Sequence, residues 1–126
     1  MNGNRYFFDT NAIIYLLKNS DSNLLTLLNS SEWIGISIIS QLEFLSFSKI
    51  SENDLKLFDV FTQHIEVVEI LSSNIKLIND IIRIRKTYSI KLPDAIVAAS
   101  AIYSDSVIIT NDKHFNKVEE LTARTL

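Results

Sequence analysis

Short runs of β-favouring residues alternate with segments of helical periodicity, and this alternation restricts the fold more than any other feature of the chain. Residues 6–8, 33–38, 64–68 and 106–109 are rich in aromatic and β-branched residues, as strands are. Strands that alternate with helices form a mainly parallel sheet covered on both faces. We therefore expect an α/β protein, a three-layer α/β/α sandwich with four to five strands, in one domain spanning residues 1–126.

Polar residues mark where the predicted helices begin. Helical patterns start at Asn11, over residues 21–28, and at Ser40, which forms the sequence of a capping box with Glu43. Residues 51–54 begin another helix, and Pro93 suits the first turn of the next one, where a missing amide hydrogen costs nothing. Residues 72–88 are the longest periodic run, and five isoleucines predict a wide apolar face there: Ile75, Ile78, Ile81, Ile82 and Ile84. The tail after the last predicted strand is weakly patterned.

Four acidic residues follow the predicted strands or open a helix. Asp9 and Asp112 come directly after strands, Glu43 lies within about one helical turn of another, and Asp94 lies in the first turn of the helix with Pro93. In parallel sheets the ligand crevice lies beyond the carboxyl ends of the strands. Each acid alone can be explained by helix capping or by the helix dipole. Capping gives no reason for all four to gather at one edge, so we expect a shared site.

Clustered carboxylates repel one another strongly enough to require a counter-charge. Two of them about 4 Å apart repel by roughly 4 kcal/mol at an effective dielectric of 20, against a domain stability of about 5–15 kcal/mol. Either the acids are spread apart, or cations lie among them. Because the ligands are hard oxygens and the chain has no cysteine, one or two Mg²⁺ or Mn²⁺ ions fit best. Asn11 and Thr110 are candidate helpers that orient a carboxylate or a bound water.

A site of this kind supports hydrolysis of phosphodiesters, since the metal activates water and neutralises charge on the leaving oxygen. A cyclising ribonuclease would instead need a general acid and a general base, usually histidines. The chain has only His64 and His114. His64 is expected to be structural or exposed, and His114 lies close enough to Asp112 in sequence to contact a substrate.

The net charge of −3 argues at first against a nucleic-acid partner. Without the four proposed metal ligands, however, 15 − 4 = 11 acids face 12 bases. Four bases and no acid lie between residues 81 and 93, directly before Asp94: Arg83, Arg85, Lys86 and Lys91. Two interpretations stay open, a solvated helix face and a patch that steers phosphates to the site.

The segments around the four acids are FFDTN at Asp9, SQLEF at Glu43, LPDAIVAA at Asp94 and TNDKHF at Asp112. Together they resemble the PIN-domain ribonucleases, especially the VapC-type toxins of toxin-antitoxin pairs. The resemblance implies a PIN-like fold, these four acids as catalytic metal ligands, and cleavage of RNA to 5′-phosphate and 3′-hydroxyl products. It also implies a cognate antitoxin as partner and a homodimer formed through the early helices. Ser89 departs from the family pattern, which often has glycine there.

Two other functions are compatible with parts of the sequence. The first is a catalytically silent PIN-like module that binds RNA or protein through its surface. The second is an aspartyl-phosphate protein, because an Asp after the first strand can accept a phosphoryl group. That chemistry needs a second acid two residues later, where this chain has Asn11.

The cellular compartment is expected to be the cytoplasm. The absence of cysteine is typical of a reducing compartment, and residues 1–5 lack the apolar core of a signal peptide. Residues 95–103 form an apolar stretch shorter than the roughly 20 residues that a membrane-spanning helix needs. We therefore predict no membrane association.

Overall fold

The computed structural model describes residues 4–19 and 22–126, without the side chains of residues 22–24. Five strands in these ranges form one sheet in the order β3-β2-β1-β4-β5, and every neighbouring pair is parallel. The predicted α/β class and parallel sheet are therefore confirmed. The strands are β1 Arg5–Phe8, β2 Trp33–Ser37, β3 Glu66–Val68, β4 Val107–Ile109 and β5 Ala123–Arg124.

Helices connect the strands and cover both faces of the sheet. A short 3-10 helix, Lys113–Lys117, follows β4. Asp21, where we expected the second helix to begin, lies outside the described residues. The α-helices are α1 Thr10–Lys18, α2 Ser22–Ser30, α3 Ile38–Leu45, α4 Glu52–Thr62, α5 Ile75–Tyr88 and α6 Leu92–Tyr103.

Alternation along the central strand divides the core into two layers. Phe7 packs with Ile108 and the buried residues of α5 and α6. Its neighbour Phe8 belongs to the other cluster, with Ile13 of α1 and residues of α3 and α4. Successive side chains of a strand point to opposite faces, so one strand supplies both clusters. This arrangement confirms the three-layer α/β/α sandwich.

The start of α3 differs from the prediction. The helix begins at Ile38, and the side chain of Ser37 caps it by accepting a hydrogen bond from the Ile39 amide at 3.2 Å. The predicted capping box of Ser40 and Glu43 is wrong, because Ser40 is already inside the first turn. Its hydroxyl is buried and finds no hydrogen-bond partner among the described residues.

Two other predicted helix starts are confirmed, but the predicted apolar face of α5 is too wide. Ser51 caps α4 in a reciprocal capping box with Asp54, and Pro93 lies in the first turn of α6. In α5, however, Ile75 is 66% exposed and Ile82 is also exposed. The buried face of α5 is narrower than predicted and consists of Leu77, Ile81 and Ile84.

Ser89 ends α5 in a left-handed conformation, with φ 53° and ψ 41°. In this region the Cβ of an L-residue crowds the following carbonyl oxygen, at a cost of about 1–2 kcal/mol. Glycine has no Cβ and adopts the same angles without that penalty. The left-handed turn gives a physical reason for glycine at this position.

In the helices of the described ranges, we find none with the length and apolar content needed to cross a bilayer.

We predict that Ser89→Gly raises the free energy of unfolding by about 1 kcal/mol, because it removes the Cβ penalty of the left-handed turn. Urea denaturation followed by circular dichroism measures this change. Ser46→Gly is the matched control, since Ser46 also ends a helix but with right-handed angles, φ −92° and ψ −2°. That substitution should destabilise the protein by about 0.5 kcal/mol. Equal effects of the two substitutions would contradict the assigned strain.

Candidate functional site

Asp9 follows the central strand and is held in place from two sides. It is the N-cap of α1, and its Oδ1 accepts a hydrogen bond from the Ala12 amide at 2.8 Å. Its Oδ2 accepts a hydrogen bond from the Thr110 hydroxyl. The residue is only 6% exposed. Both carboxylate oxygens are thus fixed at the carboxyl edge of the sheet.

Thr110 connects the ends of the two neighbouring strands β1 and β4. While its hydroxyl donates to Asp9, the same oxygen accepts a hydrogen bond from the Asp112 amide at 3.0 Å. Asp112 caps the 3-10 helix, and its Oδ1 lies 2.9 Å from the His114 amide and 2.8 Å from His114 Nδ1. The Thr110 hydroxyl therefore links the backbone of Asp112 to the carboxylate of Asp9.

The other two acids come from helices. Glu43 lies on α3, and its Oε1 accepts a hydrogen bond from the Thr10 hydroxyl at 2.6 Å. Asp94 lies in the first turn of α6. All four acids border one cavity of about 200 Å³, which we call the acidic cavity, and Thr10 and Asn11 also line it. The structure therefore brings together the four residues that the sequence singled out.

Burial and neighbouring acids raise the pKa values of two of these carboxyls, Asp9 and Asp94. Burial raises the pKa of the Asp9 carboxyl, and the charges of Asp112 and Asp94 raise it further, against the lowering effect of the bonds from Thr110 and Ala12. Burial also raises the pKa of Asp94, with further increases from the charges of Asp112 and Glu43. His114 and Lys91 act in the opposite direction on Asp94. The site as it stands carries unbalanced negative charge.

The donor chemistry of the acidic cavity fits a hard divalent cation, since its polar groups are carboxylate, hydroxyl and amide oxygens. Within residues 4–19 and 22–126, no three His, Asp or Glu side chains are placed closely enough to hold a metal ion as they stand. The carboxylates border one cavity but are spread around it.

The predicted basic patch is divided by the structure. Lys91 lines a second cavity that also contains Glu43, Asp94 and Asp112. Arg83 instead pairs with Glu120, at 2.8 Å between Nη1 and Oε1, and more distantly with Asp80, at 3.8 Å. Arg85 and Lys86 are exposed in the last turn of α5.

Sequence reasoning missed two residues of the site. Thr10 lines the acidic cavity, and its sequence signal is its position next to Asp9, which places a hydroxyl at the same strand end. Lys117 lines the second cavity, and the only hint of this in the sequence is that it follows Asp112 by five positions. His114, which we considered as a substrate contact, lines that cavity too.

We predict that Asp94→Asn stabilises the metal-free protein at pH 7 by about 1 kcal/mol, within the range typical of relieved surface charge conflicts. A carboxyl whose pKa is raised in the folded state favours folding at pH values below its ordinary pKa, 3.8, and loses that contribution as pH rises through the higher folded value. The gain should therefore shrink as the pH is lowered toward 4. Thermal unfolding in a chelator at several pH values measures it.

Glu52→Gln is the control for that prediction, because Glu52 is also an acid in the first turn of a helix, α4, but is exposed and outside the acidic cavity. It should lose about 0.3–1 kcal/mol of favourable helix-dipole interaction. If Asp94→Asn destabilised the protein as Glu52→Gln does, repulsion in the cavity would not be the dominant effect at Asp94.

Comparison with solved structures shows the same fold. VapBC-1 from nontypeable Haemophilus influenzae matches with a TM-score of 0.79 and 21% identity, over 95% of this chain and 96% of that one. VapBC2 from Rickettsia felis, bound to a promoter DNA fragment, matches with a TM-score of 0.75 and 22% identity, over 95% and 97% of the two chains. A toxin-antitoxin complex from Klebsiella pneumoniae gives 0.75 and 22%, over 93% and 95%.

No curated protein sequence is significantly similar to this chain. The family model of the PIN domain matches residues 6–121. This range includes β1 from its second residue, together with β2, β3 and β4, and ends before the short β5. The matched range also contains all four acids of the cavity. The chain therefore belongs to the PIN-domain family.

Proposed function

We propose that this protein is a metal-dependent endoribonuclease and the toxin of a type II toxin-antitoxin pair. The observation that carries the proposal is the acidic cavity, where Asp9, Glu43, Asp94 and Asp112 converge at the carboxyl edge of a PIN-domain sheet. Carboxylates at this edge match the position where parallel α/β sheets bind ligands. The sheet order adds support, because the strand order switches sides between the neighbouring parallel strands β1 and β4, which are followed by Asp9 and Asp112.

The four carboxylates would hold one or two Mg²⁺ or Mn²⁺ ions. When bound, such an ion lowers the pKa of a water molecule and neutralises charge that develops on the phosphate. The substrate is proposed to be RNA, cut by hydrolysis to leave a 5′-phosphate and a 3′-hydroxyl.

The chain itself orients the groups of this site. Thr110 and the Ala12 amide fix both oxygens of Asp9, so this carboxylate loses little further freedom when it binds a ligand. Thr10 restrains Glu43, which is otherwise exposed on α3. One of the four carboxylates is proposed to accept the proton of the attacking water. The roles of Asn11 and Thr110 as helpers are part of this proposal.

We expect purified protein to cleave total RNA in Mg²⁺ or Mn²⁺ and to stop in a chelator. Asp9→Asn should lower the cleavage rate by at least about 100-fold, because it removes a metal ligand while the remaining side-chain oxygen can still cap α1. Gel analysis of the products and their end groups measures both effects. Mn²⁺ at about 100 times its dissociation constant should also add roughly 2.7 kcal/mol to the stability of the original protein. Full cleavage by the Asp9→Asn variant would overturn the site assignment.

Thr10 tests whether the orientation of Glu43 matters. Thr10→Val removes the hydroxyl that bonds Glu43, and we expect a fall in cleavage rate of about 10-fold, as when a residue that orients a metal ligand is lost. Thr10→Ser retains the hydroxyl and should keep most of the activity. Similar losses in both variants would show that the methyl group, rather than the hydrogen bond, matters here.

Partners are proposed from the relatives. The matched structures are described as VapBC and toxin-antitoxin complexes, which supports a cognate antitoxin for this chain. A homodimer and a cytoplasmic location are also proposed. Ile13 is buried in the core, and Leu25 is an exposed apolar residue of the early helices, at 52%. Sedimentation across a range of protein concentrations tests the homodimer.

One observation favours the alternative of a silent binding module. The carboxylates of the described residues are not preassembled around a point where an ion could bind. A silent module would bind RNA or a protein partner without cleaving RNA under any metal condition. The cleavage experiment therefore separates the two functions directly. Arg85 and Lys86 are proposed in either case to attract RNA by long-range electrostatics, whereas the charge of Arg83 is offset by Glu120 and Asp80.

A further inference from the structure

The second cavity extends the acidic one and has a different electrostatic character. It has a volume of about 410 Å³ and shares Glu43, Asp94 and Asp112 with the acidic cavity. Because three residues border both, the second cavity lies directly beside the acidic one, and we call the two together the cleft. The part that is unique to the second cavity contains two lysines, Lys91 and Lys117, which we call the lysine pair.

The lysine pair is placed by the same elements that place the acids. Lys91 immediately precedes α6, three residues before Asp94, with an extended backbone at φ −66° and ψ 152°. Lys117 ends the 3-10 helix that Asp112 caps. The helix start that supplies one acid and the turn that supplies another thus each supply a cation to the same cleft.

A clamp outside the cleft fixes the segment that carries Lys117. Glu120 accepts a hydrogen bond from Tyr88 at 2.7 Å and pairs with Arg83 at 2.8 Å. Tyr88 and Arg83 both belong to α5, and Glu120 follows Lys117 by three residues. Phe115 and Val118 are buried in the core on either side of Lys117. The backbone that positions this lysine is therefore anchored in several places.

Neither lysine forms an ion pair with an acid among the described residues. Among the described residues, no carboxylate lies within the 4.0 Å ion-pair distance of the Lys91 or Lys117 ammonium group. Both side chains are exposed to solvent. His114, on the same wall, is already engaged with Asp112. Two available cations in a cleft otherwise lined by acids can bind an anion that extends beyond the acidic cavity.

We propose that Lys91 and Lys117 bind the RNA phosphodiester adjacent to the one that is cleaved. This inference rests on the proposed function, in which the reacting phosphate lies at the acids. A nucleic-acid strand carries one negative charge per nucleotide, so a strand with one phosphate in the acidic cavity extends another into the adjoining second cavity. Lysine contacts to phosphate supply affinity and register, and they carry no information on base identity.

The salt dependence of RNA binding tests the lysine pair. Each phosphate contact with single-stranded nucleic acid contributes about 0.7 to the slope of log affinity against log salt concentration. In an Asp9→Asn background with Mg²⁺, so that the RNA is not cut, Lys91→Gln with Lys117→Gln should reduce the slope by about 0.7, because the pair binds one phosphate. The probe is a short fluorescein-labelled single-stranded RNA of randomised sequence, followed by fluorescence anisotropy.

Two variants serve as controls. Lys56→Gln makes the same charge change at an exposed position of α4 that does not line the cleft, and it should leave the slope unchanged. Lys117→Arg keeps the charge and should retain the contribution of that position. An unchanged slope in the double variant, or an equal decrease in Lys56→Gln, would overturn the proposal in favour of a general charge effect. Circular dichroism verifies that each variant is folded.

Cleavage kinetics separate failure of this inference from failure of the proposed function. In the otherwise unmodified protein, the double lysine variant should raise KM by about 10-fold or more with little change in kcat, because it loses ground-state and transition-state binding equally. If the unmodified protein cleaves RNA but the double lysine variant leaves the salt slope unchanged, the role of the lysine pair is refuted and the nuclease function is not. If the double lysine variant alters the salt slope but the unmodified protein does not cleave RNA, the nuclease function is refuted and the cleft is an RNA-binding site.

Discussion

Repulsion among carboxylates that the fold forces to one edge of the sheet is the interaction on which the rest of the site depends. Asp9 is nearly buried, and Asp94 is half-buried, so neither charge is fully screened by water. The protein offsets part of the cost locally, through the Ala12 amide and the Thr110 hydroxyl at Asp9. No comparable bond is found for Asp94 among the described residues, and its charge is offset only by the nearby His114 and Lys91. A site with this imbalance is ready for a cation and is less stable without one.

Thr110 makes the repulsion between two neighbouring strand ends tolerable. Its hydroxyl has one proton to donate and lone pairs to accept with, and the structure uses both roles, toward Asp9 and toward the Asp112 amide. The order β2-β1-β4 sets these two strand ends side by side, whereas Glu43 and Asp94 arrive on helices. The two acids that follow strands are thus linked through Thr110, whereas Glu43 is held separately by the Thr10 hydroxyl.

The sequence predicts the strands, the covered parallel sheet and the shared location of the acids because each follows from local pattern and from the geometry of parallel strands. It does not predict β5, since this strand is two residues long and is defined by backbone bonds such as Thr110 N–H to the Arg124 carbonyl at 3.0 Å. Ser37 and Ser40 are both compatible with a cap for α3 in the sequence and are equally buried, and the hydrogen bond from the Ile39 amide to Ser37 identifies the cap. Ile75 shows that periodicity identifies a helix face without revealing how much of it a neighbour covers. Lys117 reaches the cleft through a 3-10 turn that has no sequence signature.

Net charge is a poor guide to an RNA partner when opposite charges are segregated within one cleft. The chain is acidic overall, yet four of its 15 acids lie together where a cation would neutralise them, and two lysines lie where the RNA strand would continue. An RNA phosphate that approached the metal-free cleft would meet Glu43, Asp94 and Asp112 before any compensation. In the proposed nuclease, binding of the ion and binding of RNA are therefore coupled, and each must strengthen the other by the same factor. The two lysines do not take the place of the ion, because they lie beside the acids without forming ion pairs with them.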